Sequence, residues 1–370
     1  MEERLDNEQG GQEGDQRRPR PASHRFSVAP MLDYTDRHFR VLMRQITTHS
    51  LLYTEMVVAQ ALHHARREPG ADKPGGRLER LIGFDPCERP LALQVGGDDP
   101  ALLADAARLA ADWGYDEINL NVGCPSEKVQ KGRFGACLMA EPDQVARCVA
   151  AMAAASPLPV TVKHRIGIDD RDSYAELLAF VDTVAAAGCR RFAVHARKAW
   201  LEGLDPKQNR TIPPLRHDLV HRLKTDRPAL TIEINGGLQS LDDCLAQLER
   251  VDGVMVGRAV YDHPLRWRAV DRLIHGDPQA TEPAGTLALE ARVVRGLVPY
   301  AERWCSRGDR LWPIARHLVK VVEGVPGARQ WRHQLSLAAG DRQAGAEVLE
   351  QAARQLEEAQ PSLPASGAEG

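Results

Sequence analysis

The sequence predicts an α/β protein, namely a closed (β/α)8 barrel of the TIM type followed by a smaller helical domain. Short apolar segments alternate with helical patterns eight times between Phe26 and Arg258, and eight such units favour a closed barrel over an open sheet. The turn after the first segment, APMLDYTD, lacks glycine, whereas an open nucleotide-binding sheet would require a GxGxxG turn there. After Pro264 the alternation stops, and only helical patterns follow.

The predicted strands are short and rich in apolar residues, with room for a crossover helix after each. They are FSVAP (26–30), LLYTEM (51–56), LALQVG (91–96), DEINLN (116–121), PVTVKH (159–164), RFAVHA (191–196), ALTIEIN (229–235) and GVMVGR (253–258). Helical patterns lie between them in DRHFRVLMRQI, ALLADAARLAADW, DQVARCVAAMAAA, YAELLAFVDTVAAAG and LDDCLAQLERV. Several of these begin after Asp, Ser or Pro and end near Gly, as helix ends require.

The domain boundaries follow from where these patterns stop. We expect residues 24–275 to form the barrel and residues 285–358 to form a helical domain, which contains LALEARVVRGLVPYAERW, LWPIARHLVKVVEG and AGAEVLEQAARQLEEA. Residues 1–23 have no apolar core and carry six acids, so they predict a disordered extension and neither a secretory signal nor a transit peptide. Residues 359–370 are expected to be a loose tail.

Composition limits the class of protein. With 370 residues, 43% hydrophobic and 27% charged, the chain is typical of a soluble globular protein. No run of 18 uncharged apolar residues occurs, so we expect no membrane-spanning helix. The seven cysteines include no CxxC pair, which predicts neither a disulfide framework nor a metal site, and a reduced, cytoplasmic protein.

The charge is unevenly distributed along the chain. The formal net charge is −3, yet residues 285–335 contain nine Lys and Arg against four acids. A basic segment in an acidic protein is a candidate contact for a polyanion. The alternative is an ordinary solvated helical face.

Polar residues cluster at the predicted strand ends, where the active site of such a barrel lies. They are Gln94, Asn119, Asn121, Lys163, His195 and Asn235. Buried polar side chains need partners, and a ligand in the mouth would supply them. Lys163, within an apolar strand, requires a negative partner: a reduced, anionic flavin ring or a structural carboxylate. His195 taken alone could equally be a satisfied core histidine.

Two glycine-containing turns follow strands seven and eight, Asn235-Gly236-Gly237 and Gly257-Arg258. Barrels of this kind often bind a phosphate at this place, because glycines let backbone N–H groups approach the anion. Arg258 would pair with it in a bidentate way. Each glycine turn alone could be a simple turn, but together they favour a phosphate site.

Cys124 is the candidate catalytic residue. It lies in a Gly-Cys-Pro turn after strand four, in a loop rich in Gly and Lys. An ordinary thiol, with a pKa near ~8.5, is protonated at neutral pH, and no activating base lies nearby in the sequence. Cys124 is therefore predicted to donate a proton rather than to act as a nucleophile. Cys137 is the competing candidate, and the remaining cysteines are expected to be buried and inert.

Several motifs resemble those of the tRNA-dihydrouridine synthases, most closely the bacterial A-type subfamily. These motifs are APMLDYTDRHFR, TEM, LQVGG, NLNVGCPSEKVQKGRFGACLM, VKHRIG, VHARKAW, INGG and VGRAVYDHP. The resemblance extends from about Arg25 to Leu335, and its NVGCPS…GxxGACLM stretch is highly specific. It implies a flavin-binding barrel followed by a four-helix domain, and it does not explain the acidic extension before His24.

The resemblance also implies roles for individual residues. FMN is expected to contact Pro30, Met31, Leu32, Gln94, Lys163, His195, Asn235, Gly236, Gly237, Gly257 and Arg258. Cys124 would be the general acid and Asn121 would contact the target uracil. The expected tRNA contacts are Lys207, Arg210, Arg329 and Arg332.

The implied reaction is the reduction of uridine to 5,6-dihydrouridine in the tRNA D-loop, at positions 20 and 20a. NADPH would reduce FMN, the flavin would deliver hydride to C6 of uracil, and Cys124 would protonate C5 from the opposite side. We expect a monomer. One alternative is a small-molecule FMN reductase of the dihydropyrimidine or dihydroorotate type, which would need no basic helices. Another is a tRNA-binding protein without catalysis, against which the intact Lys163, His195 and Cys124 set counts.

Overall fold

The computed structural model describes residues 23–280, 286–324 and 327–359. The predicted N-terminal extension (1–23), apart from Ser23, lies outside the described residues. The same holds for the predicted tail (359–370), apart from Ala359.

Parallel strands form a closed barrel, as the sequence predicts. The strands are β1 (Phe26–Val28), β2 (Leu51–Tyr53), β3 (Val57–Val58), β4 (Leu91–Gly96), β5 (Glu117–Val122), β6 (Val160–Arg165), β7 (Arg191–His195), β8 (Thr231–Asn235) and β9 (Gly253–Val256). Their order is β2-β1-β9-β8-β7-β6-β5-β4-β3, and pairing of β2 with β4 closes the ring. Strand β3 is a two-residue addition beside β4. The other eight strands are those predicted: β4 has the predicted bounds, and the ends of the others differ from the prediction by no more than three residues.

Helices surround the barrel. They are α1 (Arg37–Arg44), α2 (Ala59–Ala65), α3 (Arg77–Ile82), α4 (Pro100–Asp112), α5 (Glu127–Lys131), α6 (Pro142–Ala155), α7 (Tyr174–Ala186), α8 (His217–Asp226), α9 (Leu241–Leu248), α10 (Arg258–Asp262) and α11 (Val270–Leu273). The sequence predicted α1, α4, α6, α7 and α9. Their starts are well marked: Asp36 and Asp99 cap α1 and α4, and Ser173 and Ser240 begin capping boxes at α7 and α9.

The C-terminal part is helical where the structure describes it. It contains α12 (Thr286–Gly296), α13 (Val298–Cys305), α14 (Trp312–Leu318), α15 (Ala328–Gly340) and α16 (Glu347–Glu358). The single helical pattern predicted over 287–304 is divided into α12 and α13, because Pro299 has no N–H to continue the helix ladder. In the described ranges, no helix is long and apolar enough to cross a membrane.

The lower half of the barrel interior contains a buried ionic network that the sequence analysis did not predict. Arg191, at the amino end of β7, pairs with Glu117 and also with Glu233, at 2.7 Å from Nη1 to Oε1. The Tyr53 hydroxyl donates to Glu117 (3.0 Å) and the Ser27 hydroxyl donates to Glu233 (3.0 Å). These contacts fill the amino-terminal half of the barrel interior with paired side chains.

Candidate functional site

Three amide side chains at the carboxyl ends of β4 and β5 form a hydrogen-bonded chain. Asn121 Nδ2 donates to Gln94 Oε1 (2.9 Å), and Gln94 Nε2 donates to Asn119 Oδ1 (2.8 Å). Asn119 Nδ2 then donates to the Thr161 hydroxyl (2.8 Å). The protein itself therefore supplies some of the hydrogen-bond partners that the sequence analysis expected from a ligand. Because each amide is fixed in orientation, the remaining N–H groups of Gln94 and Asn121 point in defined directions.

Asn121 also positions the cysteine turn. Its Oδ1 atom accepts hydrogen bonds from the backbone N–H groups of Gly123 (3.1 Å) and Cys124 (3.0 Å). Cys124 is half-buried, with Sγ 3.6 Å from the Ser126 hydroxyl. It lies close enough to Lys163 and Arg210 to interact with both electrostatically. The fold thus brings the predicted proton donor and the predicted flavin-binding lysine to the same mouth.

Cys137 is in a different environment. It lies in a short 3-10 helix (Gly135–Ala140), and its thiol is 3.2 Å from the Phe134 carbonyl oxygen. Burial, followed by the charge of Glu141, raises the pKa of the Cys137 thiol. A thiol bonded to its own backbone is less suited to meeting a substrate, so the geometry favours Cys124.

Lys163 donates a hydrogen bond from Nζ to Asn235 Oδ1 at 3.2 Å. Asn235 in turn donates to the Met255 carbonyl oxygen (2.7 Å), which fixes its orientation. Burial and then the charge of Arg165 lower the pKa of Lys163 to about 8. Across residues 23–280, 286–324 and 327–359, no carboxylate lies within ion-pair distance of this ammonium. An anionic ligand in the mouth would therefore stabilise its charged form.

His195 is half-buried at the end of β7. Its Nδ1 atom accepts the backbone N–H of Arg197 (3.2 Å), which assigns the ring proton to Nε2. Burial, followed by the charges of Arg165 and Lys163, holds the pKa of His195 well below its usual value. The ring is therefore neutral, and it offers Nε2–H as a donor beside Gly236.

The glycine turns after β8 and β9 are the turns predicted to bind a phosphate, and their backbone tolerates few other residues. Gly236 (φ 108°) and Gly237 (φ 82°) both lie in the left-handed region, where a β-carbon is strained. A β-carbon on Gly257 would lie 3.3 Å from Met31 Sδ. The neighbouring Pro30 and Met31 are half-buried, whereas Leu32 is exposed.

Three arginines lie close together near these glycine turns, namely Arg197, Arg210 and Arg258. The charge of Arg258 adds to burial in lowering the pKa values of Arg197 and Arg210. Arg258 itself is exposed, and the buried Nε atom of Arg210 has no hydrogen-bond partner in the described part of the chain. Clustered guanidinium groups with a free N–H suit an anion. Together with Lys163, Gln94 and the glycine turns, these residues present several hydrogen-bond donors to an anionic ligand at the mouth.

The loop after β7 carries Lys207 and Arg210. Asn209, buried between them, accepts the Trp200 N–H (2.8 Å) and donates to the Trp200 carbonyl (2.9 Å). Arg165 donates from Nη1 to the carbonyl oxygen of Asn209 (3.0 Å). Lys207 is exposed and Arg210 is half-buried, so the loop forms part of the rim of the mouth.

Arg165 was given no role in the sequence analysis, although it ends β6 beside Lys163. In addition to Asn209, it donates to the Lys198 carbonyl (3.0 Å) and, from Nε, to the Gly123 carbonyl (2.9 Å). It therefore joins the cysteine turn to the loop after β7. The sequence signal that could have identified Arg165 is its position directly after the predicted strand at 159–164.

Arg329 and Arg332 lie in the first turns of α15, which begins after Gly327 (φ 81°) as the glycine position indicated. Arg329 is exposed, but Arg332 donates from Nη1 to the Val322 carbonyl (2.5 Å). Trp331 is buried and donates to the Ala352 carbonyl (3.0 Å). The two arginines are thus not equivalent, because one of them already stabilises the fold.

The basic segment has less free charge than its composition suggests. Several of its cations pair with acids elsewhere in the chain: Arg295 with Glu357, Arg303 with Asp85, Arg316 with Asp36, and Lys320 with Asp262. Exposed arginines with no such pair in the described residues are Arg292, Arg307, Arg310 and Arg329. Any polyanion contact in this segment therefore depends on a few residues.

Comparison with known proteins shows similarity along most of the chain. The family model described as dihydrouridine synthase matches residues 27–357. Three similar proteins carry the name tRNA-dihydrouridine(20/20a) synthase. The protein from Synechocystis sp. is 54% identical over 327 residues, covering 88% of this chain and 93% of that protein. Those from Shewanella oneidensis (324 residues) and Escherichia coli K12 (331 residues) are each 50% identical, covering 88% and 89% of this chain and 91% of each protein.

Among solved structures, morphinone reductase in complex with tetrahydroNAD is similar with a TM-score of 0.45 and 12% identity. The match covers 69% of this chain and 89% of that one. A similarity at this level carries no conclusion about activity.

Proposed function

The chain belongs to the dihydrouridine synthase family, and we propose on that basis that it reduces uridine to 5,6-dihydrouridine in the D-loop of tRNA, at positions 20 and 20a. The juxtaposition of Cys124, Asn121 and Lys163 at the open end of the barrel supports this activity most directly. It places an acid, an amide and a cation around one space, as a reduction followed by protonation requires.

FMN is the proposed cofactor, with NADPH as its reductant. When bound, the reduced flavin supplies the hydride that goes to C6 of the uracil. Lys163, Gln94, His195 and Asn235 would hold the ring. Pro30, Met31 and Leu32 would border it, and Gly236, Gly237, Gly257 and Arg258 would hold the phosphate.

Cys124 donates the proton to C5 of the uracil in this proposal. The Asn121 side chain fixes the cysteine turn through Oδ1 and retains one N–H for the uracil, because the other is used by Gln94. The target uridine must turn outward from the folded tRNA to reach this position.

We further propose that residues 24–275 are the catalytic barrel and that residues 285–358 bind the body of the tRNA. Lys207 and Arg210 at the rim would contact phosphates near the target, and Arg329 and Arg332 would contact them farther away. The two regions adjoin through Lys320, which pairs with Asp262 on α10 at 3.5 Å. Arg258 begins the same helix, so α10 links the mouth of the barrel with the helical region.

The direct test is to incubate the purified protein with NADPH and an unmodified tRNA transcript, and then to map dihydrouridine. Dihydrouridine at positions 20 and 20a is the expected result. A small-molecule reductase would instead oxidise NADPH while reducing a free unsaturated pyrimidine, such as uracil or orotate, and would leave the tRNA unchanged. A tRNA-binding protein without catalysis would bind the transcript and consume no NADPH.

We expect Lys163→Ala and Arg258→Ala to purify with less flavin than the unchanged protein, which should release FMN on heating. The first change removes the cation next to the ring, and the second removes a bidentate phosphate contact. Flavin per protein, measured by absorbance after chromatography, is the readout. Arg250→Ala is the matched control, because Arg250 is exposed just before β9 whereas Arg258 follows its opposite end. Full flavin content in both test variants would contradict the cofactor assignment.

Arg329→Ala should weaken tRNA binding and lower the salt slope by about one unit, since one phosphate contact is lost. Its unfolding midpoint in urea should stay unchanged, because its side chain is exposed. Arg332→Ala should weaken binding and also cost about 1 kcal/mol of stability, because its bond to the Val322 carbonyl is lost.

The control for these two variants is Arg250→Ala, because Arg250 is an exposed arginine just before β9, at the end of the barrel away from the mouth and outside the basic segment. It should leave both tRNA affinity and stability unchanged. Equal salt slopes in Arg329→Ala and the unchanged protein would move the RNA contact away from α15.

A further inference from the structure

Exposed apolar side chains lie around the mouth of the barrel. Among the residues that the structure describes, five large hydrophobic side chains are strongly exposed, and three of them lie on the loops after β1 and β7. These three are Leu32 (70% exposed), Ile212 (58%) and Tyr34 (41%). Isolated exposed apolar residues are ordinary, but a group at a ligand-binding mouth indicates a surface that is covered in use.

The ring of Tyr34 is held rigidly. It meets the ring of Tyr261 on α10 edge to face, with centroids 4.4 Å apart. Tyr261 packs in turn on Phe39, at 5.1 Å between centroids, and Phe39 is buried. Tyr34 is therefore the exposed end of an aromatic stack that begins in the core.

The backbone before Tyr34 is fixed from both sides. The N–H of Asp33 donates to Glu55 Oε1 (2.5 Å), and its carbonyl accepts from Arg316 Nη1 (3.2 Å) on α14. Asp33 has φ 67°, a left-handed conformation that a non-glycine residue keeps only when its surroundings impose it. A tyrosine whose ring packs on α10, and whose preceding backbone is held by Glu55 and α14, loses little conformational freedom when it binds a partner.

The charges next to this apolar group indicate the partner. Arg210 lies within electrostatic reach of Tyr34, and Ile212 follows it by two residues on the same loop. Cations beside an exposed aromatic ring are the combination that binds single-stranded nucleic acid, through phosphates and base stacking. An apolar protein partner would leave the charge of the half-buried Arg210 without an anion beside it.

We propose that Tyr34 and Ile212 form a stacking platform for the bases that flank the target uridine. This proposal rests on the proposed tRNA substrate. When the uridine leaves the stack, the faces of its neighbours lose their contacts, and Tyr34 and Ile212 cover them. The platform thereby stabilises the opened D-loop and holds the uridine in the mouth.

The test uses the flavin-loaded protein and an unmodified tRNA transcript, with affinity measured at several KCl concentrations. Tyr34→Ala should weaken binding by about 5- to 150-fold at every salt concentration, the range expected for one stacked base. Because no phosphate contact is lost, the salt slope should equal that of the unchanged protein. Tyr34→Trp should retain the affinity, and Ile212→Ala should show a smaller loss with the same slope.

Leu273→Ala is the matched control. Leu273 is also exposed, but α11 adjoins the opposite end of the barrel, where Arg25 donates to the Ile274 carbonyl (3.1 Å). This variant should bind tRNA normally.

Unchanged affinity in Tyr34→Ala and Ile212→Ala would overturn the platform, and so would a lowered salt slope. If Tyr34→Ala purifies without flavin, its tRNA affinity cannot be compared with that of the flavin-loaded protein. The affinity of Ile212→Ala then decides whether the platform binds tRNA. A wild-type protein that binds no tRNA would overturn the proposed function itself, so the two failures are distinguishable.

Discussion

Replacing Cys124 with alanine should lower dihydrouridine formation by about 10²–10⁴-fold, the usual contribution of a positioned general acid. Cys124 lies in the turn that Asn121 fixes, near Lys163, and no other thiol in the described residues shares this position. The reaction would then depend on water for the proton at C5. The measurement is dihydrouridine formed per minute in an unmodified transcript at saturating NADPH.

Two control measurements test whether the loss in Cys124→Ala is specific to the proton transfer. Flavin content and NADPH oxidation with a simple electron acceptor should be unchanged in Cys124→Ala, because neither requires a proton at C5. Cys137→Ala should form dihydrouridine at the normal rate, since its thiol is bonded to the Phe134 carbonyl. Normal tRNA reduction by Cys124→Ala would show that this cysteine only packs, and Cys137 would then be the candidate.

Arg191→Met should destabilise the protein by about 3–5 kcal/mol, the usual effect of removing one partner from a buried charge cluster. Arg191 neutralises both Glu117 and Glu233 inside the barrel, and Glu233 is completely buried. Urea unfolding at pH 7 measures the loss. Arg190→Met is the control, because the neighbouring arginine is exposed and its replacement should change the stability little.

The loss of unfolding free energy in Arg191→Met, called the deficit below, should depend on pH and should be smaller at acidic pH. Burial raises the pKa of Glu233 even though Arg191 opposes it, so removal of Arg191 should raise it further. The native variant then binds a proton that the unfolded chain, with a Glu pKa of about 4.3, releases. Stability is therefore lost as the pH rises above that value, and the deficit should shrink on acidification. A deficit that grows on acidification would contradict this account.

Much of the barrel was predictable because its signals are local. The strands around Gln94, Asn119 and Lys163 are runs of apolar residues interrupted by single polar ones, which is the pattern of a strand buried on both faces. Helix α8 escaped prediction because HDLVHRLKTD contains mostly charged and polar residues. Its three buried residues, Leu219, Val220 and Leu223, become recognisable only once they face the barrel.

The members of the candidate site were also predictable, for a topological reason. All strands of the barrel are parallel, so residues at their carboxyl ends must meet at one mouth whatever the loop lengths. This brings Gln94, Asn121, Lys163, His195 and Asn235 together from chain order alone. The amide chain from Asn121 through Gln94 was not predictable, because it depends on strand register and side-chain rotamers.

The sequence by itself determined the barrel, the following helices and the residues at the mouth, because hydrophobic periodicity and parallel topology are properties of chain order. Only the tertiary structure decided which charges are free. Arg316 and Asp36 are 280 residues apart along the chain and form an ion pair, and Arg332 bonds to a backbone carbonyl while nearby Arg329 stays exposed. A charge is neutralised by whichever distant element packs against it, and composition carries no information about that contact.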